Sequence, residues 1–277
     1  MISLKKFRKK KINYSYVIGR FSPEVGSKFQ YFPIDNWEKD LANAKKFKFD
    51  GTEWIISDFS NPIFNENFRK IIKLNLKKNN LKICSISLDL IMDNPLHKIK
   101  LSDVLWLTKK LKIIIKYFSV NRVAIPIEER SRFNNYEEKK IALNKLKIFY
   151  SSISRISKLC IETDISPFSL KKFLNLNAFK NLGIILDLGN TKAHGFFVED
   201  YINLFPKKIY GVHIKYRPDF YSRTERLKRN YKELKILIKN INKLVNCRDI
   251  TFQTFKSNKN FMSDMQFSIN NFNKHVQ

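Results

Sequence analysis

The chain has 277 residues, 43% of them hydrophobic, enough for a sizeable core and within the range in which an α/β barrel forms a single unit. No apolar run approaches the roughly 20 residues of a membrane helix, no signal-peptide core follows the basic N-terminus, and Cys84, Cys160 and Cys247 are odd in number, far apart and without a CxxC, which argues against a disulfide framework or a thiolate zinc site. Lys and Arg number 53 against 25 Asp and Glu, and the resulting charge of +28 reads either as a preference for polyanions or as the drift of a composition crowded with Lys, Asn, Ile and Phe.

These bounds predict a cytoplasmic, non-membrane protein with buried thiols. Residues 1–13, with the run KKFRKKK from Lys5 to Lys11, read as a basic, solvated and mobile tail, and residues 14–277 as one domain. From there β-rich apolar runs alternate with longer amphipathic or Lys-rich segments, the pattern of βα units around a parallel sheet. The first strand is predicted at YSYVIGRFS (14–22) and the first helix at 37–49, where apolar positions recur every three or four residues. Strands at 51–57 and 81–90 follow, with a helix at 66–80 between them. A helix at 103–118 leads to a strand at 121–127, and a helix at 136–156 to a strand at 159–165. Strands at 182–188, 208–216 and 249–255 complete the set, with a helix at 226–245 between the last two. Eight strands alternating with helices is the count of a TIM (β/α)8 barrel, typically about 250 residues long. A doubly wound open sheet would carry GxGxxG after a strand, and this chain has none.

The four late strands share a feature at their ends. LCIE stops at Glu162, IILD at Asp187, YGVH at His213 and ITFQ at Gln253, so four successive apolar runs each deliver one lone-pair donor. Spacings of 25, 26 and 40 residues are close to one βα unit per step. They set the four side by side on one arc of the C-terminal mouth, where barrel active sites gather. Two carboxylates, an imidazole and an amide oxygen suit one divalent cation, Mn²⁺, Mg²⁺ or Zn²⁺. Taken singly, each residue also reads as an ordinary hydrogen-bonded loop side chain; the set in register argues for metal.

GRFSP (19–23), FP with a following Trp (32–37), FDGTEWI (49–55), NP (61–62), IETD (161–164), LDLGN (186–190), HIKYR (213–217) and FQT (252–254) run nearly end to end. In this order and spacing they resemble the sugar phosphate isomerase/epimerase family, a xylose isomerase-like TIM barrel. The resemblance implies an enzyme of carbohydrate metabolism that acts on a small sugar or sugar phosphate. It also implies one divalent metal held by a Glu, an Asp, a His and a second Glu, matched here by Glu162, Asp187, His213 and Gln253. The Arg of the His-x-x-x-Arg pattern, Arg217, would lie near metal and substrate. Two departures stand out. The family's epimerases exchange a proton at the fourth position, and Gln253 has no such proton. After Arg217 the family has a glycine-containing loop, whereas residues 218–231 contain no glycine.

The chemistry that fits these residues is proton abstraction beside a carbonyl, with a metal stabilising the enediolate. Glu162 is the candidate base, and Asp187 and His213 would hold the metal, with the second imidazole nitrogen turned toward an acceptor that the sequence does not identify. Arg217 and Lys215 would bind a phosphate or carboxylate, Lys215 reading equally as a surface lysine. Arg20 and Glu53 would reach substrate hydroxyls or pair with each other where strands one and two meet. Asn190 would bond the ligand or cap the next segment. Trp37, Trp54 and Phe21 form a sugar-facing wall or belong to the core. Two other classes compete with the isomerase. One is an endonuclease of the related DNA-repair barrels, favoured by the charge but needing several histidines where only His213 is suitably placed. The other is a degenerate barrel that binds a sugar or a protein without turnover. Barrels of this kind often pair through their helices, so a homo-oligomer stands beside the monomer as an expectation.

Overall fold

The computed structural model describes residues 3–7, 11–26, 28–174, 179–257 and 259–276. Eight parallel strands, β1 (Asn13–Val17), β2 (Gly51–Ile55), β3 (Lys82–Ser87), β4 (Arg122–Ile127), β5 (Lys158–Thr163), β6 (Gly183–Asp187), β7 (Ile209–Ile214) and β8 (Asp249–Phe252), pair in sequence order. β8 returns to β1 with Asn13 opposite Asp249 and Tyr16 opposite Phe252, which closes a TIM barrel. Around it lie α1 (Trp37–Lys46), α2 (Glu66–Asn79), α3 (Leu90–Asp93), α4 (Leu101–Phe118), α5 (Tyr136–Ile153), α6 (Pro167–Leu174), α7 (Leu188–Ala193), α8 (Val198–Leu204), α9 (Lys232–Asn240) and α10 (Phe261–Asn273).

The strands are largely buried because side chains on one face pack inside the barrel and those on the other meet the helices. The helices carry their own boundaries. Asn65 opens α2 by accepting a hydrogen bond from Phe68 N at 3.1 Å, and Asn80 closes it in the left-handed region at φ 55°. Asn135 caps α5 in the same way, with Glu137 and Glu138 in the first turn. Each helix buries one stripe, Ile72 and Leu76 on α2, and Ala142, Leu146, Phe149 and Ile153 on α5.

The predicted strand at 14–22 stops at Val17 because Gly19, at φ +94°, turns the chain across the mouth, where a Cβ would lie 3.2 Å from Tyr31 O. The strand at 81–90 ends at Ser87 and Leu90 begins α3. The helix predicted at 226–245 contracts to Lys232–Asn240, since Glu225 N bonds Tyr216 O and Asn271 Nδ2 bonds Leu227 O, which ties the preceding segment to the barrel. The short helices α6, α7 and α8 are additions that six to eight residues cannot announce by periodicity. The tail also differs from a wholly solvated arm. Leu4 and Ile12 are buried, Lys5 N donates to Asn273 Oδ1 at 2.8 Å and Phe7 N to Tyr14 Oη at 3.1 Å. Apolar residues spaced among the basic ones dock the segment on β1 and α10, while residues 8–10 lie outside the described residues.

A charged string runs through the otherwise apolar barrel interior. Arg122, 1% exposed at the start of β4, donates from Nη2 to Glu53 Oε2 and to Ser85 Oγ, each at 3.0 Å, and its Nε lies 3.6 Å from Asp249 Oδ2. A Cβ at residue 211 would sit 1.8 Å from Arg122 Nη1, so Gly211 in β7 leaves the room this guanidinium fills. The three cysteines are free and buried, and among the described residues no helix is long and apolar enough to cross a membrane.

Candidate metal centre

Strand register brings the predicted ligands together. Asp187 and His213 are direct partners across β6 and β7, a pairing reached through an irregularity between Ile184 and Ile185, and Glu162 lies on neighbouring β5 opposite Ile185. All three are buried, and one ligand atom from each falls within 4.8 Å of the others. His213 Nδ1 is 3.2 Å from Glu162 Oε1 and 3.9 Å from Asp187 Oδ2. Its Nε2 faces Glu53 Oε1 at 3.1 Å. The orienting acceptor that the sequence did not identify is therefore Glu53, itself held by Arg122 and Ser85.

Asp187 explains why so apolar a strand ends on an acid. Its Oδ1 accepts from Asn190 N at 2.7 Å and caps α7, which leaves Oδ2 for Lys215 Nζ at 2.9 Å. Lys215 is no surface lysine, being 7% exposed. Gly189 permits this burial, because a Cβ there would meet Lys215 Cγ at 2.9 Å. Gln253 comes to the same mouth just past β8. Its Nε2 donates to Gln30 Oε1 at 2.8 Å, and Gln30 in turn donates to Asp89 Oδ2 at 2.6 Å. Gln253 Oε1 is left buried and without a hydrogen-bond partner.

The charges reinforce one another. Burial opposes a charged imidazole, yet Glu162 and Glu53 on either side hold His213 well above the ordinary histidine range. Burial likewise opposes ionisation of Asp187, but Lys215 and His213 win and lower it. Burial opposes the Lys215 cation too, and Asp187, Glu128 and Glu162 raise it. The donor set of Glu162, Asp187 and His213 could hold a divalent ion, and the Gln253 oxygen beside the same cavity is a neutral donor without a hydrogen-bond partner. The ion's competitor is the Lys215 ammonium already beside Asp187.

Above the centre opens a cavity of about 560 Å³, whose wall includes Glu162, Lys215, Arg217 and Gln253. Arg217 is spent on structure. It donates from Nη1 to Glu129 at 2.5 Å and to Asn190 Oδ1 at 3.0 Å, and from Nε and Nη2 to the carbonyls of Ser222 and Phe220, so it anchors the glycine-free loop over the mouth. Arg20 holds the opposite loop through Gln30 Oε1 at 2.7 Å and Phe29 O at 3.4 Å, and it makes no salt bridge with Glu53. Neither Arg20 nor Glu53 is part of the cavity wall, and Phe21, Trp37 and Trp54 are core residues. Asn190 is a hub, donating from Nδ2 to Glu128 Oε2 at 2.6 Å while accepting from Arg217. Glu128, at the end of β4, lines the cavity, and burial followed by the nearby Glu162 charge holds its carboxyl well above the usual range. Sequence reasoning missed it, although VAIPIE ends as LCIE does.

No protein-family model matches the chain, and no curated protein matches it. Solved structures do. A xylose isomerase domain protein from Planctomyces limnophilus aligns with a TM-score of 0.70 at 10% identity over 96% of each chain. The IOLI protein with a binding zinc atom aligns at 0.66 and 13% identity over 96% of this chain and 98% of that one. D-psicose 3-epimerase from Clostridium cellulolyticum H10, with D-tagatose, aligns at 0.68 and 10% identity over 95% and 98%. At these identities the likeness is one of fold: the chain is a TIM barrel, similar in fold to xylose isomerase-like structures.

Proposed function

We propose that this protein is a divalent-metal-dependent sugar isomerase or epimerase. The observation that carries the reading is the buried Glu162, Asp187 and His213 trio, of which Glu162 lines a cavity of sugar-binding size, about 560 Å³. Fold neighbours with a zinc atom or a ketose at hand support it. A bound ion would polarise a substrate carbonyl and its neighbouring hydroxyl. Glu162 is the base that takes the proton beside that carbonyl, and Glu53 fixes the His213 ring with Nδ1 toward Glu162, where the two would hold an ion together with Asp187. Gln253 accepts from a substrate hydroxyl or completes the ion's shell through Oε1, and it moves no proton. Only one histidine joins the trio among the described residues, which leaves an endonuclease-type cluster of zinc ions without ligands.

The substrate this cavity suits is unphosphorylated. Its wall presents Asp89, Glu128 and Glu162 inward, Lys215 is held by Asp187, and Arg217 by Glu129, Asn190 and two carbonyls. Lys28 and Arg130 pair with Asp93 at 3.7 and 3.0 Å, which leaves exposed Arg223 as the cation of the described wall without a carboxylate partner. A phosphate would gain one rim contact and face several acids, so neutral ketoses and aldoses are expected to turn over while their phosphate esters show no advantage.

The test combines metal analysis of the purified protein with NMR detection of deuterium entering substrate C–H positions in heavy water, over a panel of neutral sugars and sugar phosphates. One bound divalent ion and metal-dependent exchange is the expected result. The Lys215–Asp187 pair, at 2.9 Å, supports one other reading, a binding barrel in which the ammonium has taken the ion's place. Absence of metal after reconstitution, together with absence of exchange, would favour that reading and remove the isomerase.

A further inference from the structure

An enediol isomerisation moves two protons, one between carbons and one between oxygens, and Glu162 accounts only for the first. Gln253 supplies neither. Five carboxyl groups line the cavity among the described residues: Asp89, Asp93, Glu128, Glu129 and Glu162. Asp89 has both oxygens committed, accepting from Ser87 Oγ at 2.5 Å and Gln30 Nε2 at 2.6 Å. Asp93 is engaged by Arg130 and Lys28 at the rim, and Glu129 by Arg217. Glu162 faces His213.

Glu128 is held by an amide, not by a cation. Pro126 pairs with Glu162 and Ile127 with Thr163, so two residues beyond Pro126 the Glu128 side chain points to the same inward side as Glu162. It stands about 6.6 Å further toward the mouth, two residues at the ~3.3 Å rise of a strand. Asn190 holds Oε2 in place at 2.6 Å, and the side chain also accepts from the Ser131 backbone N–H of the turn that it caps. The residue is 8% exposed, hence buried in the wall yet open to the cavity.

We infer that Glu128 is a second catalytic carboxyl, which carries the hydroxyl proton between the two substrate oxygens while Glu162 carries the carbon proton on the same face. This assignment rests on the isomerase reading. In the aldose-to-ketose direction, ionised Glu162 removes the proton from C2, and the C–H electron pair becomes the C1–C2 double bond. The carbonyl electrons move to O1, which takes a proton from Glu128. The O2 hydroxyl then returns a proton to Glu128 as the C2 carbonyl forms, and C1 takes the proton held on Glu162. Both carboxyl groups end as they began, and no oxidant or co-reactant is consumed. Placing the two carboxyls on neighbouring strands suits this one-face transfer, and it removes the need for the fourth-strand carboxylate that Gln253 replaces.

The test is Glu128→Gln, which keeps the size and the acceptor for Asn190 but has no exchangeable acid. D-Fructose, D-tagatose and D-xylose serve as probes for deuterium uptake and interconversion in heavy water, and Mn²⁺ titration reports the metal centre. Interconversion is expected to fall by about 10²–10⁴-fold, the usual worth of a positioned acid–base group, with Mn²⁺ affinity unchanged. Wild-type exchange that persists undiminished in the variant overturns the role of Glu128 and leaves the isomerase reading standing. Loss of Mn²⁺ binding in the variant also overturns it, because Glu128 would then belong to the metal shell. A wild type that binds Mn²⁺ yet exchanges no proton with any probe overturns the isomerase reading and this assignment together.

Discussion

Arg122→Met is expected to destabilise the protein by about 3–5 kcal/mol, measured by urea unfolding at neutral pH, although methionine fills much of the same space. The loss is electrostatic. Glu53 and Asp249 share this guanidinium and are each 1% exposed, so removing it leaves Asp249 with Asn13 alone and Glu53 with His213 and Ser85 inside the barrel. Glu53 makes the argument specific to pH. Burial would raise its carboxyl, but the His213 charge, Arg122 and the Ser85 hydroxyl more than offset this and hold it down to about 2. A depressed carboxylate stabilises the fold above its unfolded pKa of about 4.3, and that contribution fades as pH falls through the folded value. Wild type should therefore lose stability relative to Glu53→Gln between roughly pH 4.5 and 2, by about 3 kcal/mol over the window. An acid limb that is parallel in the two proteins would show that Glu53 is not ionised by these neighbours.

The same string marks where sequence reading runs out. The barrel and the Glu162, Asp187 and His213 trio were legible because strands buried on both faces leave continuous apolar runs, and each run ends where the chain leaves the sheet at the mouth. Glu128 was open to the same signal. The pairing of Glu53 with His213 was not, since the two are 160 residues apart and meet only once the barrel has closed. Gly211 carries no mark of the Arg122 side chain that it admits from across the barrel. Lys215 was hidden by composition: among so many lysines nothing distinguishes the buried one until Gly189 and Asp187 are seen to seat it. Arg217 holds a role that its motif position does not show. Its motif position suggests substrate, but the loop of residues 218–231 lacks the glycines that would let it fold alone, and the guanidinium supplies the missing hydrogen bonds.

Asp187→Ala and His213→Ala are each expected to weaken Mn²⁺ or Zn²⁺ binding by more than about 100-fold, beyond the 10–100-fold typical of outer-shell partners. Asp187 would offer an ion its Oδ2 alone, because Oδ1 is already the cap of α7, and alanine removes both. This variant should also loosen α7 and so lose some thermal stability. His213→Ala spares the cap and separates the two effects. Glu53→Gln should fall within the outer-shell range, since the amide still fills the space beside His213 Nε2 but no longer fixes the ring by charge. Lys215→Met should act in the other direction. With the ammonium 2.9 Å from Asp187 Oδ2 gone, the ion meets less repulsion and an unoccupied donor, so affinity rises in calorimetric titration while the metal-free protein becomes less stable. Because His213 must give up its proton to bind through Nδ1, loading should release protons and tighten as pH increases. If Lys215→Met left affinity unchanged while Asp187→Ala abolished it, the ammonium would have to swing clear of the ion on loading.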